Sequence, residues 1–212
     1  MSLTGQKPSI QVWDPLVRYG HWALVVAFSV AWLSADDESG GPDQVHVWAG
    51  YAVGTIVAVR VLWGIAGTRY ARFSDFVYSP ATALRYLGDM LRGRGRRYVG
   101  HSPAAAYMIA ALLLCLAATV GTGLIAYGDT GKGPLASAGS LVIAGAHAEE
   151  RGAGRRGESE AGIAGDLHGA LANSTLGLVV LHILGVGLAS AVHRENLVRA
   201  MFSGRKRPGD GD

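Results

Sequence analysis

Apolar residues along this chain gather in four long blocks, and polar or charged residues are concentrated in the stretches between them. The blocks cover residues 19–35, 45–66, 103–127 and 167–192 and are rich in Ala, Val, Leu and Gly. Each has about the 17 or more residues that an α-helix needs to cross the hydrocarbon core of a bilayer. The pattern therefore predicts an all-α membrane protein, a bundle of four transmembrane helices, rather than a soluble domain.

The charged residues predict how these helices are oriented. The stretch 67–102 carries seven arginines against two acids, and more arginines follow the last block. The stretch 36–43 has four acids and no basic residue. Since loops rich in Lys and Arg stay in the cytoplasm, we expect both termini and the middle loop to be cytoplasmic, in a multi-pass protein of the bacterial inner membrane. Because the arginine run flanks two spans, we expect no nucleic-acid partner.

The stretches outside the blocks give the domain limits. Residues 1–11 and 208–212 are polar and are predicted to be tails. Residues 128–165, rich in Gly, Ala and mixed charge, are predicted to form a loop on the outer side. In the middle loop, Pro80 precedes a predicted interfacial helix over 81–91, because proline is favoured at a helix start.

Four histidines lie in or at the edges of the blocks: His21, His46, His168 and His182. An imidazole in hydrocarbon is costly without a partner, so intramembrane histidines are functional candidates. On the predicted topology, His46 and His168 share a depth on the outer side, and His21 and His182 share a depth on the cytoplasmic side. Residues 168 and 182 lie on one helix, within roughly 40° of one face and about 21 Å apart. The spacing fits two cofactors, one in each leaflet.

Two such histidine pairs suit two haems. Imidazoles on both faces of a haem iron leave no open position, which favours electron transfer over oxygen chemistry. The single cysteine, Cys115, and the lack of a Cys-x-x-Cys-His motif predict b-type haem and no disulfide within the chain. The alternative is that the histidines bond between helices and that small residues serve plain helix packing. The small residues concerned are Gly50, Gly54, Gly121, Gly123 and Gly177.

Short motifs around the histidines form a specific combination. They are Val12-Trp13-Asp14-Pro15 with Arg18-Tyr19-Gly20-His21-Trp22, His46-Val47-Trp48-Ala49-Gly50-Tyr51, Arg60-Val61-Leu62-Trp63-Gly64 with Tyr70-Ala71-Arg72-Phe73, Gly100-His101-Ser102-Pro103, and His168-Gly169-Ala170-Leu171-Ala172-Asn173 with His182-Ile183-Leu184-Gly185-Val186. With these motifs the chain resembles the bacterial cytochrome b561 family, which includes the b-type cytochrome subunits of nickel–iron hydrogenases.

The resemblance implies a dihaem membrane domain over residues 12–207. It implies a four-helix bundle around two haem b groups, with the four histidines as iron ligands in the pairs derived above. It also implies electron transfer between the quinone pool and a redox protein, such as a hydrogenase, a cytochrome c or a periplasmic dehydrogenase. The family often has an acid after the first histidine of the fourth span. This chain has Gly169 there, so no role for that acid is expected.

Arginines on the cytoplasmic side are candidates for binding haem propionates. Arg18 and Arg60 are expected to pair with the propionates of the inner haem, because arginine forms bidentate pairs with carboxylates. Arg72 is a third candidate. The alternative for all three is simple anchoring at the cytoplasmic surface.

Three further histidines have weaker assignments. His101 is expected to contact a propionate, to line a quinone pocket, or to be an interfacial loop residue. His193, eleven residues after His182, is a reserve ligand or an exposed helix end. His147, in the outer loop, has no evident role.

The sequence leaves three functions open. The first is a dihaem b-type cytochrome that carries electrons across the membrane; a quinone site of its own would make it an oxidoreductase subunit rather than a relay. The second is a quinone-linked oxidase of a small reductant such as superoxide, against which the acidic outer loop argues. The third is a haem-free transporter or scaffold that uses its histidines for protons or metal.

Overall fold

A computed structural model describes residues 9–35, 43–136 and 156–208, with the side chains of residues 156–162 left out of the description. Helices dominate the described chain. In order, the elements are β1 (Ile10–Gln11), α1 (Pro15–Leu33), α2 (Gln44–Ala66), a 3-10 turn (Phe73–Phe76), α3 (Pro80–Leu91), α4 (Pro103–Asp129), α5 (Arg156–Val192), α6 (Leu197–Ser203) and β2 (Arg205–Lys206).

Four of these helices are long and apolar enough to cross a membrane. They are α1, α2, α4 and the part of α5 from Ile163 to Val192. Only between 6% and 22% of the residues in each span are buried against the protein itself. An apolar surface of this extent requires lipid rather than water around it. The predicted four-helix membrane architecture is therefore confirmed.

Three helices begin with the same local device, a polar cap followed by proline. The cap oxygen accepts a hydrogen bond from a free N–H of the first turn, and proline has no N–H to satisfy at the next position. The caps are Asp14 for α1, with Val17 N at 2.9 Å, Ser79 for α3, with Thr82 N at 3.3 Å, and Ser102 for α4, with Ala105 N at 3.3 Å.

The chain forms two compact units, and every span contributes to both. Unit 1 comprises Met1–Val26, Ile56–Ala111 and Leu178–Asp212. Unit 2 comprises Ala27–Thr55 and Leu112–Gly177. Each histidine pair predicted from depth falls within one unit: His21 and His182 in unit 1, His46 and His168 in unit 2.

Unit 2 is built from close helix–helix contacts. α2 approaches α4 at Gly54, where an added Cβ would lie 2.9 Å from Val120 Cγ1. α4 meets α5 at Thr119 and Thr175, whose hydroxyl oxygens are 3.2 Å apart. Thr175 is fully buried. Small and short polar side chains at these contacts let the helix backbones approach closely, as is usual in membrane bundles.

Unit 1 joins the two ends of the described chain. β1 pairs antiparallel with β2, with Ile10 opposite Lys206. The carbonyl of Gly204, which has a φ of 78° and ends α6, accepts hydrogen bonds from Val12 N and Trp13 N. Ile10 and Gln11, at the end of the predicted tail 1–11, are thus paired with β2 through the backbone.

The last span also begins earlier than its apolar block. α5 starts at Arg156, inside the stretch 128–165 that was predicted to be a loop. Residues 156–164 contain two glutamates and two alanines, which are good helix formers. Apolarity marks where a helix enters lipid, and it does not mark where the helix begins.

Candidate functional site

The histidine pair of unit 1 brings α1 and α5 together. The rings of His21 and His182 have centroids 6.4 Å apart and planes inclined at 54°. Trp22 lies edge-on to His21, at 5.2 Å between ring centroids. The Nδ1 atom of His21 is buried and has no hydrogen-bond partner within the described residues. We refer to His21 and His182 as the unit 1 pair.

The histidine pair of unit 2 joins α2 and α5. The rings of His46 and His168 have centroids 5.8 Å apart and are nearly perpendicular, at 87°. His46 Nδ1 donates to the Ala31 carbonyl at 2.8 Å, and His168 Nδ1 donates to the Thr119 carbonyl at 2.8 Å. Because a carbonyl only accepts, both Nδ1 atoms carry a proton, so the neutral form of each ring has its free lone pair on Nε2. We refer to His46 and His168 as the unit 2 pair.

One face of α4 forms the surface on which the His168 ring packs. A Cβ at Gly123 would lie 2.8 Å from His168 Cε1 and 2.9 Å from its Nδ1, so only glycine lets the ring sit there. One turn earlier, Thr119 supplies the accepting carbonyl, and its hydroxyl contacts Thr175. Thr175 in turn contacts Cys115 Sγ at 3.2 Å. The ring of His168 is therefore held by packing and by a hydrogen bond.

The other glycines near the histidines divide into two kinds. Gly54 is a packing contact with Val120, as the alternative interpretation expected. Around Gly50, Gly121 and Gly177 an added Cβ would meet no atom within 4 Å. Of the five glycines, only Gly123 touches a histidine of either pair.

Two arginines of unit 1 have buried guanidinium nitrogens that no described residue accepts from. Arg60 on α2 buries one terminal nitrogen without a partner, and its guanidinium lies 5.1 Å from the Phe73 ring centroid. Arg18 on α1 buries an unpartnered Nε, although a terminal nitrogen donates to the Phe202 carbonyl. Buried donors in proteins are nearly always paired, so these groups fit an anionic ligand such as a carboxylate.

His101 is another buried group of unit 1 without a hydrogen-bond partner among the described residues. It lies between Trp13 and Phe76, at centroid distances of 4.7 and 4.3 Å. Its Nδ1 is unpartnered among the described residues. Burial, together with the positive charges of Arg60 and Lys206, lowers the pKa of His101 to about 3. The ring is therefore neutral at physiological pH and adds no charge to the cluster.

Asp14 organises the same end of unit 1, and the sequence reasoning gave it no role. Besides capping α1, it accepts hydrogen bonds from Trp63 Nε1 at 2.9 Å and Thr68 Oγ1 at 2.6 Å. Burial alone would raise the pKa of Asp14, but these hydrogen bonds outweigh burial and lower it. The Asp-Pro helix start was the available signal. It predicts the cap but not the contacts with residues about fifty positions away.

The structure separates the remaining candidates from the histidine pairs. Arg72 pairs with Asp75 at 3.5 Å, partly exposed, and therefore behaves as a surface residue. His193 lies just past the end of α5, with Nε2 3.5 Å from the Tyr86 hydroxyl. His147 lies outside the described residues.

Each histidine pair is suited to a metal whose other positions are filled by a macrocycle. Within the described ranges no three His, Cys, Asp or Glu side chains form a metal-binding group, whereas a bare ion needs three or four protein ligands. Two imidazoles that bind one ion from opposite sides, each nitrogen about 2 Å away, have ring centres about 6 Å apart. Both pairs have separations of this size. The residues present therefore fit haem.

Comparison with known proteins relates this chain to one described family. The family model described as prokaryotic cytochrome b561 matches residues 12–204, nearly the whole chain. No curated protein and no solved structure matches. The match includes both histidine pairs, Arg18 and Arg60.

Proposed function

Because the chain belongs to the prokaryotic cytochrome b561 family, whose members transfer electrons across a membrane through b haems, we propose that it holds two such haems, one at each histidine pair. In this proposal the unit 1 pair, His21 and His182, ligates one iron, and the unit 2 pair, His46 and His168, ligates the other. Haem bound in this way supplies reversible one-electron chemistry at iron.

The unit 2 pair is the observation that carries the proposal. A ligand histidine in proteins usually donates its other ring N–H to a carbonyl or carboxylate, which fixes the ring and its tautomer. Both His46 and His168 make that bond, to Ala31 and Thr119, at 2.8 Å. A histidine that only joined two helices would need no second imidazole ring held at a centroid distance of 5.8 Å.

The two buried arginines complete the proposed site of unit 1. Arg18 and Arg60 would bind the propionates of the haem at the unit 1 pair, since each has a buried nitrogen lacking an acceptor in the described chain. Their positive charge in a low-dielectric setting would hold the carboxylates ionised. The apolar spans would surround both haems with a low-dielectric medium, and the chemistry that such haems would supply is electron transfer.

The membrane topology is also part of the proposal. The pairing of β1 with β2 supports an arrangement with both terminal segments on one side of the membrane. The arginines of residues 67–102 support the cytoplasm as that side. We therefore assign the protein to the bacterial inner membrane, with the unit 1 pair in the cytoplasmic half and the unit 2 pair in the outer half.

The partners proposed are a quinone and a redox protein. A chain with two haems in opposite leaflets connects a reaction at one surface with a reaction at the other. The electron donor or acceptor on the protein side would be a hydrogenase, a cytochrome c or a periplasmic dehydrogenase. Quinone would react near the edge of one haem.

Haem content of single variants tests the ligand assignment. Pyridine haemochrome against protein concentration should give two haems per wild-type chain. We expect about one in each of the variants His46→Ala, His168→Ala, His21→Ala and His182→Ala, and still two in the matched control His193→Ala. Two haems in all four ligand variants would refute the assignment, and no haem in protein made with ample haem supply would refute the proposed function.

A further inference from the structure

One helix of unit 1 has an amphipathic surface that the proposed electron transfer does not use. α3 lies in the chain between the second and third spans. One face of α3 is buried through Tyr86 and Met90. The Tyr86 ring is 5.6 Å from the Tyr98 ring, and Met90 packs so closely on Gly95 that no side chain fits there. This face fixes α3 to unit 1.

A second face of α3 is apolar and exposed. Leu84, Leu87 and Leu91 are 71%, 45% and 71% exposed. Positions three and seven residues apart fall within about 60° of one another around a helix. The three leucines therefore form one continuous stripe beside the buried face. Such a stripe is unfavourable in water and calls for an apolar partner.

A third face is strongly basic. Arg85 lies on the flank of α3 next to the leucine stripe, Arg92 is the C-cap of α3, and Arg94 and Arg96 follow directly. All four arginines are exposed. Asp89 is the single acid between residues 80 and 97. Arg97, by contrast, is engaged, because it forms a 3.1 Å ion pair with Glu195. The Arg96 guanidinium lies 6.0 Å from the centroid of the Tyr98 ring. Four exposed guanidinium groups thus lie beside the leucine stripe or in the segment that directly follows α3.

We propose that α3 is a binding site for anionic phospholipid. The helix lies in the plane of the membrane surface, with the leucine stripe among the acyl chains and the four arginines on the lipid phosphates. Helices with an apolar stripe and a basic flank bind the interface in this way. The chain continues from both ends of α3 into spans, which end at Ala66 and begin at Pro103. These flanking spans keep α3 near the surface, and the cationic flank favours phosphate over an apolar protein helix.

The depth of the leucine stripe and of the opposite side of α3 tests the orientation. In a Cys115→Ser background, nitroxide labels are placed at Leu87→Cys on the stripe and Asp89→Cys, about 200° away on the helix. In vesicles of phosphatidylcholine and phosphatidylglycerol, the label at 87 should collide more with oxygen and the label at 89 more with a water-soluble nickel chelate. Equal chelate access at both positions, or protection of position 87 from both reagents, would overturn the proposal.

Lipid retention tests the charge preference. Polymer discs extracted from the same vesicles are analysed for bound lipid by mass spectrometry. Arg92→Gln/Arg94→Gln should lower the retained ratio of phosphatidylglycerol to phosphatidylcholine, by about fivefold for each arginine at the surface. The matched control Arg199→Gln/Arg205→Gln, which removes two exposed arginines elsewhere, should retain the wild-type ratio. Equal ratios in the two double variants would refute the site. Neither measurement depends on haem, so the outcome is independent of the proposed function.

Discussion

The two histidine pairs have the same composition and very different surroundings. In unit 2 both rings are tied by Nδ1 to backbone carbonyls, and the planes are nearly perpendicular. In unit 1 the rings are 6.4 Å apart, and His21 Nδ1 has no acceptor among the described residues. All side chains with a buried, unpartnered polar atom in the described chain belong to unit 1; they are Arg18, His21, Trp22, Arg60 and His101.

This difference indicates where the protein depends on its cofactor. Leaving a buried polar group unpaired costs about 1–3 kcal/mol. Unit 2 orients its two histidines with protein groups alone, so their arrangement does not depend on a cofactor. Unit 1 collects several unpaired donors that a carboxylate-bearing ligand would satisfy. We therefore expect unit 2 to be preorganised and unit 1 to gain more stability from binding.

The largest effect is expected from a variant that fills the space beside the His168 ring. In Gly123→Ala the new methyl group would lie within 3 Å of the ring and displace it from the unit 2 pair. We expect haem content to fall from two to about one per chain, because the pair of unit 1 is untouched. The measurement is pyridine haemochrome on detergent-purified protein.

Gly121→Ala is the matched control for this variant. The two glycines are two residues apart on α4, about 200° around the helix, and an added Cβ at Gly121 meets nothing within 4 Å. Gly121→Ala should keep two haems. If Gly123→Ala also keeps two haems, the close contact between Gly123 and the His168 ring has no role in haem binding.

A smaller effect is expected from an arginine of unit 1. In a His46→Ala background, which leaves the unit 1 haem alone, Arg60→Gln should weaken haem retention by about tenfold, the lower end for a charge-assisted hydrogen bond. Transfer of haem to apomyoglobin gives the rate of loss. Arg72→Gln, whose parent side chain faces Asp75 at the surface, should behave like wild type. Equal loss rates in both variants would count against propionate binding by Arg60.

The smallest effect concerns pH and the neutral ring of His101. Burial and the charges of Arg60 and Lys206 lower its pKa from 6.5 to about 3 in the folded protein. Between these values the unfolded chain binds more protons, so stability falls as pH drops from about 6.5 toward 3. The unfolding temperature of the haem-free wild type should therefore be lower at pH 5 than at pH 7. The corresponding decrease should be smaller for His101→Gln. Parallel curves for the two proteins would contradict this origin of the pH dependence.

Properties that depend only on position along the chain, such as the spans and the depth of a residue in the membrane, could be predicted from the sequence. The four spans follow from the length of the apolar blocks, and depth alone placed His21 with His182 and His46 with His168. The structure puts the rings of each of these pairs next to each other. The starts of helices were predicted less accurately, because the polar residues before an apolar block can be helical too. The helix α5, which begins at Arg156, is an example.

Contacts that depend on which helix faces which could not be predicted. The carbonyl acceptors of Ala31 and Thr119 have no sequence signal, since every residue carries the same carbonyl. Gly121 and Gly123 are equivalent in the sequence, yet one is open and the other touches His168. Asp14 belongs to a motif noted in the sequence, but its hydrogen-bond donors Trp63 and Thr68 could be identified only from the folded structure.

The pairing of β1 with β2 has a consequence for biosynthesis. Residues 10–13 are synthesised about two hundred residues before residues 204–206, to which they bond. Unit 2 lies entirely between Ala27 and Gly177 and has all its segments before that moment. During translation and membrane insertion, the pair His46 and His168 can therefore assemble before the sheet of β1 and β2 closes.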